Sequence, residues 1–365
     1  MMEDLVTQLQ LGIFAFGDYS SHVYGWLRFD GDSLVSGSYP HARESFYRLS
    51  GPVLELICAD GDSVTARFEL VQRRPLLFHG STVGLSNTLY LREALSLRAR
   101  PQTTATLTAR PAVLVNSAPK SGTYLLQRAF FELGFSSTDL HLGNTSLHDN
   151  RDLPRDASIH RAPWAHEATL AIGLLPPFLG PGTVTVGHID DVSVLQTFID
   201  AGLCVLLVVR DMRAILWSLF RFKLAVVAPR DDADHHWRCR ASRLEQFMGF
   251  LAYHWSRDIL HICNCFRSFA SFPDVPLLRY EDLMAGALPE ATGHLMEQQL
   301  ADSGGTPAFL AALAAARHRS TPTLTQALPH LPSFTPEEQE EIRRLIDALV
   351  AGSSLAEVNA LFGYG

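Results

Sequence analysis

The chain has 365 residues, of which 47% are hydrophobic and 19% are charged, and its formal net charge is −8. These values are normal for a globular protein with one large domain or two. An acidic chain without a run of Lys or Arg is not expected to bind nucleic acid, so any anion site must be a local concentration of positive charge.

The cysteine spacing and the first residues of the sequence are used to predict the cellular compartment of the protein. Five cysteines at irregular spacing give no disulfide framework, which favours a reducing environment. The first residues, Met1-Met2-Glu3-Asp4, lack the basic region and the long apolar core of a signal peptide. Because the longest apolar runs are too short to cross a bilayer, we expect a cytoplasmic protein with no membrane span.

Residues 1–105 are predicted to form an N-terminal antiparallel β-rich domain. Asp-Gly pairs end the β-rich segments 26–31 and 56–61, which is a hairpin signal. Residues 64–70 alternate between apolar and polar side chains, as a half-buried strand does. The stretch 97–110, which contains several Thr and Arg, is the predicted linker.

Residues 106–365 are predicted to form an α/β domain, in which a mostly parallel sheet is flanked by helices, because apolar strand-like runs alternate with helix-like segments. The predicted strands are 112–116, 184–188, 205–209 and a segment beginning at 277, and the predicted helices are 125–133, 194–201, 212–220, 243–269 and 337–350. The last helix has a capping box of Thr335 and Glu338, with Pro336 at its first position. The polar residues 231–236 are expected to form a loop.

The segment Ala118-Pro119-Lys120-Ser121-Gly122-Thr123-Tyr124 lies where a predicted strand turns into a helix. Free N–H groups and the positive end of the helix dipole point to one spot there, which favours an anion. Lys120 adds a point charge, and Gly122 allows the backbone to approach a ligand closely. The segment is not a Walker A motif, because Lys precedes its only Gly.

This segment resembles the 5′-phosphosulfate loop P-K-S-G-T-T-W of the sulfotransferases that use 3′-phosphoadenosine 5′-phosphosulfate (PAPS). A second match is an Arg at a strand end with a Ser eight residues later, here Arg210 and Ser218, which is the family's site for the 3′-phosphate. A third match is Leu277-Leu278-Arg279-Tyr280-Glu281-Asp282-Leu283, which is similar to the family's strand followed by Y-E-D-L. The ordered set covers roughly residues 110–285.

The resemblance implies a P-loop NTPase-like sulfotransferase fold and PAPS as the donor, with adenosine 3′,5′-bisphosphate (PAP) as its product. No metal is required in the family. The donor-binding residues that it implies are Lys120, Ser121, Gly122, Thr123, Tyr124, Arg210, Ser218, Tyr280 and Arg319. Lys120 is also implied as a catalytic group, because it can neutralise charge that develops on the bridging oxygen.

His188 is the predicted general base. It ends the strand-like run 184–187, and the carboxyl ends of parallel strands face the site crevice. The family places its catalytic His at such a strand end. His160 and His166 are rival bases without that context. Each of the other predicted residues could instead serve only the fold. Arg210, for example, could form a salt bridge with Asp211.

The sequence departs from the family pattern at several points. Tyr124 replaces the second Thr, and Leu125 replaces the Trp that stacks on adenine in cytosolic members. The family's C-terminal R-K-G-x-x-G motif is not recognisable, and the sequence 317–319 is the candidate replacement. Because the family's dimer signature is absent too, the oligomeric state is open. The chain is closer in these features to bacterial or carbohydrate-type members.

The predicted reaction is sulfuryl transfer to a hydroxyl or amine of a small-molecule, lipid or carbohydrate acceptor. Alternatives are a P-loop-type nucleotide kinase and a catalytically silent PAP-binding scaffold. The β-rich domain is expected to bind a glycan or to serve as an assembly contact, and residues 152–181 are expected to line the acceptor pocket. Acidic, His and Cys residues between 231 and 239 do not match a common zinc spacing, so no metal site is expected.

Overall fold

The computed structural model describes residues 2–19, 23–31, 34–37, 44–96, 110–151, 167–318 and 333–365. Most of the predicted linker, His160, His166 and Arg319 lie outside these residues, as does much of the segment expected to line the acceptor pocket. The chain divides into two compact units. One comprises Met1–Thr104, Thr145–Leu147 and Ala168–Phe178, and the other comprises Ala105–Asn144, His148–Glu167 and Leu179–Gly365.

The first unit contains a closed antiparallel barrel in which strand β1 pairs with both β2 and β8. Its elements are helix α1 (Met2–Gln10) and strands β1 (Gly12–Asp18), β2 (Val23–Asp30), β3 (Leu34–Gly37), β4 (Phe46–Ser50), β5 (Val53–Ile57), β6 (Val64–Arg73), β7 (Leu76–Thr82) and β8 (Leu89–Ser96). The antiparallel pairing predicted for this region is confirmed.

Local sequence explains the barrel strands. On β6 the inward residues Ala66 and Phe68 are buried while Arg67 and Glu69 are exposed, as the alternation predicts. Both predicted Asp-Gly turns join antiparallel pairs, β2 with β3 and β5 with β6. The barrel core is filled by phenylalanines such as Phe14 and Phe78, which are fully buried.

The second unit contains the parallel part of a seven-stranded sheet, whose strand order is β12-β11-β10-β13-β9-β14-β15. Its strands are β9 (Val113–Ser117), β10 (Ser136–Leu142), β11 (Ser146–Asp149), β12 (Glu167–Thr169), β13 (Thr183–Gly187), β14 (Cys204–Val209) and β15 (Leu277–Arg279). Strands β10, β13, β9, β14 and β15 pair in parallel with their neighbours. The predicted parallel sheet is therefore confirmed for these five strands.

A helix is the next element after each of β9, β13, β14 and β15, as the alternation predicts, and further helices occur along the chain. Together these helices are α2 (Thr123–Glu132), α3 (Val192–Asp200), α4 (Met212–Ala225), α5 (Asp232–Arg238), α6 (Arg243–His254), α7 (Leu260–Phe269), α8 (Tyr280–Ala285), α9 (Glu290–Leu300), α10 (Gly305–Arg317), α11 (Pro336–Ala351) and α12 (Leu355–Ala360). Short 3₁₀ helices cover Ile172–Leu174, Pro176–Phe178 and Ala301–Ser303. None of the helices in the described ranges is both long and apolar enough to cross a membrane.

The sheet core is apolar on both faces of the central strands. Val113, Val115, Leu206 and Val208 are almost fully buried in a cluster that includes side chains from α2 and α10. Because both faces are apolar, burial alone does not set the strand register; the parallel ladders set it by pairing Val186 and Leu206 with Val115 on either side. The carboxyl ends of β9, β13 and β14 are thereby held side by side.

Two predictions for the helices are wrong in detail. Residues 231–236 are not a loop, because Asp231 caps α5 by accepting the Asp234 N–H at 2.8 Å. The helix predicted for 243–269 is interrupted by a π-helical turn at Trp255–Ile259. By contrast, the capping box of Thr335 and Glu338 at the start of α11 is confirmed.

The buried carboxylate of Asp234 explains why α5 forms despite its polar sequence. It accepts hydrogen bonds from Trp237 Nε1 at 2.7 Å and from Arg238 Nε at 3.0 Å. The Arg230 N–H donates to its second oxygen at 2.9 Å. The pattern of charged residues in this segment therefore serves a buried network and not a solvated loop.

We expect Asp234→Ala to lower the free energy of unfolding by about 3 kcal/mol, because it leaves the buried Arg238 Nε and the Trp237 indole N–H without their acceptor. Chemical denaturation followed by circular dichroism measures this change. The matched control is Asp232→Ala, at an exposed position of the same helix, for which we expect a loss below about 1 kcal/mol. Equal losses in both variants would contradict a buried network at Asp234.

Candidate functional site

The candidate site begins at the loop between β9 and α2. The loop is fixed to the sheet because the Ala118 N–H donates to the Val208 carbonyl at 3.0 Å, and it turns back where the Ser121 N–H donates to the Ala118 carbonyl at 3.1 Å. Lys120 has a φ of 69° and Gly122 a φ of 103°. A non-glycine residue in the left-handed region is strained, and such residues cluster at binding sites.

Gly122 is the N-cap of α2 and has no room for a side chain. A Cβ atom there would lie 2.7 Å from Cδ2 of Tyr280. No side chain caps the helix in its place. The first N–H groups of a helix have no acceptor within it, so this helix start is suited to an anion.

Two buried polar atoms at the loop have no hydrogen-bond partner among the described residues. One is the hydroxyl of Ser121, a residue that is fully buried, and the other is Nε of Arg210. Buried donors in a folded protein are nearly always paired. Their position beside an uncapped helix leaves them able to hydrogen-bond to a ligand bound there.

Arg210 joins the loop to a second strand end. It follows β14, and its Nη1 donates to the Lys120 carbonyl at 3.2 Å. Its guanidinium carbon lies 4.2 Å from the ring centroid of Tyr280, the residue that also contacts Gly122. Asp211 does not form the alternative salt bridge with Arg210, because it caps α4 and pairs with Arg213 at 3.4 Å.

The ammonium of Lys120 lies against α4. Its Nζ is 4.0 Å from the ring centroid of Phe222, a cation–π distance. Burial lowers the pKa of Lys120 to about 7, and the positive charges of Arg210 and Lys223 act in the same direction. Ser218 is one helical turn before Phe222 and so lies on the same face of α4. It is half-buried.

Lys223 is held by an acidic group in the π-helical turn. Its Nζ lies 2.9 Å from Asp258 Oδ1, and His254 Nδ1 lies 2.6 Å from the other carboxylate oxygen. Although burial opposes it, His254 and Lys223 hold the pKa of Asp258 below its ordinary range. Lys120 and Lys223 are the only lysines among 30 Lys and Arg residues in the sequence, and their charges interact.

His188 directly follows β13 and is fixed by the neighbouring strand β9. Its Nδ1–H donates to the Ser117 carbonyl at 2.7 Å. The side chain of Asn116 clasps the next residue, Ile189, by accepting its N–H at 2.8 Å and donating to its carbonyl at 2.9 Å. Because Nδ1 carries the proton, Nε2 of neutral His188 has a free lone pair.

A group of histidines surrounds His188. The ring centroid of His141, on β10, is 4.5 Å from that of His188, and the Tyr124 hydroxyl lies 3.1 Å from His141 Nδ1. Burial lowers the pKa of His188 to about 3, and the charges of His261, His148 and Lys120 add to this effect. His188 is therefore neutral at physiological pH, with Nε2 unprotonated.

Of the histidines described near His188, His261 is one that pairs with a carboxylate. Its Nδ1 lies 2.9 Å from Asp190 Oδ2. Although burial alone would lower it, the hydrogen bond to Asp190 raises the pKa of His261 to about 10. A positive charge is thus present near His188 at neutral pH.

The sequence predicted most of these residues but not all of them. The structure brings together Lys120, Gly122, Arg210 and Tyr280, and His188 lies at the same edge of the sheet. Residues that sequence reasoning missed are Ser117, His141, His148, Phe222, Lys223 and His261. Only Lys223 had a signal, since lysine is so rare in this chain; the others depend on strand register and helix packing.

Other predicted residues fall elsewhere. Arg319 lies outside the described residues, and its neighbour Arg317 donates to the Met284 carbonyl at 2.9 Å. Ser218 forms no hydrogen bond with the described residues, so its hydroxyl does not bond to a carbonyl one turn back. In the same parts of the chain, no group of three or more His, Cys, Asp or Glu side chains is arranged to hold a metal ion.

No family model and no curated protein matches this sequence. Among solved structures, the chain is similar to that of mouse sulfotransferase SULT7A1 complexed with PAP. The alignment covers 79% of this chain and 99% of the mouse chain, with 12% sequence identity and a TM-score of 0.33. Likeness at this level assigns neither family nor activity, so the functional assignment depends on the site itself.

We expect the Lys120 ammonium to titrate near pH 7. Since the chain has two lysines, lysine labelled with ¹³C at Cε gives two side-chain signals, and Lys120→Met identifies which one belongs to Lys120. That signal should move with a midpoint near 7, because burial and like charges favour the neutral amine.

The Lys223→Met variant tests the like-charge part of this effect. Removal of a neighbouring positive charge makes it easier to protonate Lys120, so the midpoint should rise. Arg344→Met, at an exposed position of α11, removes a positive charge far along the chain and is the control. A Lys120 midpoint near 10 in the wild type would show that the amine is solvated.

Proposed function

We propose that this protein is a PAPS-dependent sulfotransferase, which transfers a sulfuryl group to a hydroxyl or amine of a small-molecule, lipid or carbohydrate acceptor. The observation that carries the proposal is the hydrogen bond from Arg210 to the Lys120 carbonyl. It joins two segments that are 90 residues apart in the sequence, the anion-binding loop and the strand end expected to bind the 3′-phosphate, into one site.

The unpaired polar atoms fit a donor with two anionic ends. The Ser121 hydroxyl and the start of α2 are placed to hold the 5′-phosphosulfate. The free Nε of Arg210 is suited to the 3′-phosphate, as is Ser218 on the adjoining helix. Tyr280 stacks on the Arg210 guanidinium, and we propose that it also contacts the adenine of the donor.

The clustered positive charge of the site also favours an anionic nucleotide such as PAPS. The chain has a net charge of −8, yet Lys120, Arg210 and Lys223 lie close enough together that the two other cations lower the pKa of Lys120. Like charges in a partly buried site destabilise the unliganded protein. A polyanionic nucleotide relieves this repulsion, which gives the site a preference for multiply charged donors.

The proposed reaction needs a base, and His188 fits that role. The acceptor oxygen or nitrogen forms a bond to sulfur while the bond from sulfur to the 5′-phosphate oxygen breaks, and PAP leaves with the bonding electron pair. The acceptor proton goes to Nε2 of His188, whose Nδ1–H is held by the Ser117 carbonyl. Lys120 stabilises the charge that develops on the leaving oxygen.

The donor site should depend on the 3′-phosphate. We expect PAP to raise the melting temperature of the wild type, and ATP and adenosine 5′-phosphosulfate to have little effect. Arg210→Ala should weaken PAP binding by about 2–3 kcal/mol, which is the scale of a lost charged hydrogen bond. Calorimetric titration measures this loss, and Arg344→Ala is the control for nonspecific attraction.

The same nucleotide panel separates the alternatives. Selective stabilisation by ATP would replace the proposal with a nucleotide kinase. Binding of PAP without transfer from labelled PAPS to any of a panel of phenols, alcohols, amines and sugars would favour a silent scaffold. If PAP and adenosine 5′-phosphosulfate bind the wild type equally, Arg210 and Ser218 do not form a 3′-phosphate site.

We expect His188→Ala to reduce turnover of the best acceptor in that panel by about a hundredfold or more, because the acceptor proton then has no positioned base. PAP affinity should change little, since the base acts on the acceptor. His141→Ala, which removes the adjacent ring, shows how much of the loss comes from packing alone. Near-normal turnover of His188→Ala would transfer the role to another histidine, with His160 and His166 to be replaced next.

A further inference from the structure

A short path of hydrogen-bonded side chains connects the start of α2 to His188. The Ser117 hydroxyl hydrogen-bonds to the Thr123 hydroxyl, and it also lies 3.3 Å from His188 Nδ1. Ser117 is fully buried and Thr123 nearly so. Thr123 is the first residue of α2, which follows the anion-binding loop, so the chain runs from that loop to the imidazole.

The direction of the donors in this chain can be assigned from its ends. His188 Nδ1 carries a proton because it lies 2.7 Å from the Ser117 carbonyl, which can only accept. The Ser117 hydroxyl oxygen therefore accepts a share of that N–H and directs its own proton to Thr123. The Thr123 hydroxyl proton is then available to an anion at the helix start, and all three donors point the same way.

We infer that Ser117 is a positioning residue that couples occupancy of the donor loop to the proton affinity of His188. The inference rests on the proposed function, because the occupant is taken to be an anionic nucleotide. An anion that accepts the Thr123 hydroxyl polarises the Ser117 hydroxyl, which becomes a better acceptor for His188 Nδ1–H. That favours the imidazolium that forms when Nε2 takes a proton.

The surroundings of His188 explain why such coupling matters. The groups that face it are cationic or become so on protonation: His141 on β10, His148 on β11, His261 on α7 and Lys120 on the loop. The nearby carboxylate of Asp190 is engaged by His261. Burial keeps the pKa of His188 low, and these charges lower it further, so the base is weak until an anionic donor offsets the charges.

Histidine NMR with PAP as the probe tests the coupling without any acceptor. With ¹³C-labelled histidine and His188→Gln for assignment, we expect the wild-type His188 signal to stay neutral down to pH 5 without PAP. With saturating PAP, its titration midpoint should rise by at least about one pH unit. In Ser117→Ala the rise should be less than half of the wild-type value, while PAP affinity stays within about threefold.

Three variants separate coupling from a structural role. Ser117→Thr keeps the hydroxyl and should restore the rise. Thr123→Val cuts the same chain at its other end and should reduce the rise, which covers the case in which Ser117→Ala does not fold. Thr185→Ala removes a buried hydroxyl on β13 that bonds to Thr138, and it should leave the rise unchanged.

The outcomes are distinguishable. If PAP binds and the His188 midpoint does not move, or moves equally in the wild type, Ser117→Ala and Thr123→Val, the coupling is wrong and the donor site stands. If PAP does not bind to the wild type at all, the proposed function fails, and the coupling fails with it.

Discussion

The site depends on the backbone of Lys120, which is held in a left-handed conformation with φ of 69°. Such a conformation is unfavourable for a residue with a Cβ atom and persists only where neighbours over-determine it. Arg210 supplies that constraint by donating to the Lys120 carbonyl, and Tyr280 fixes Arg210 by stacking on it. Because Tyr280 also lies against Gly122, one aromatic ring holds both the loop and the guanidinium in place.

The parallel sheet determines which side chains can meet at this site. Strands β13, β9 and β14 are adjacent and end at the same edge, so residues after each strand converge although they are far apart in sequence. Ser117 is the last residue of β9. His188 and Arg210 directly follow β13 and β14. Asn116 strengthens the arrangement. The backbone pairing of β13 with β9 ends at Gly187, and the Asn116 side chain extends the contact by bonding to the N–H and carbonyl of Ile189.

The sequence predicts a structural element correctly where its signal lies within a few residues. The capping box of Thr335 and Glu338 and the turns at Asp-Gly pairs involve residues a few positions apart, and the alternation of strands and helices follows from apolar runs. It failed for α5, because that helix depends on a buried carboxylate whose partners cannot be read from charge pattern alone. It also missed His141 and Ser117, whose roles arise from the register of β10 and β9 against β13.

The distribution of lysine and arginine gives a reason for the chemistry of the site. Of 30 basic Lys and Arg residues only two are lysines, and their charges interact at the loop. An arginine stays protonated at any physiological pH and offers a rigid fork, which suits Arg210 because it holds the Lys120 carbonyl and, in the proposed function, an anion as well. A lysine has a proton affinity that its surroundings can change, and burial with two like charges has lowered the pKa of Lys120 to about 7. Arginine at position 120 would keep the charge but would lose this response to an anionic ligand, so the amine itself, and not only its charge, fits the proposed reaction.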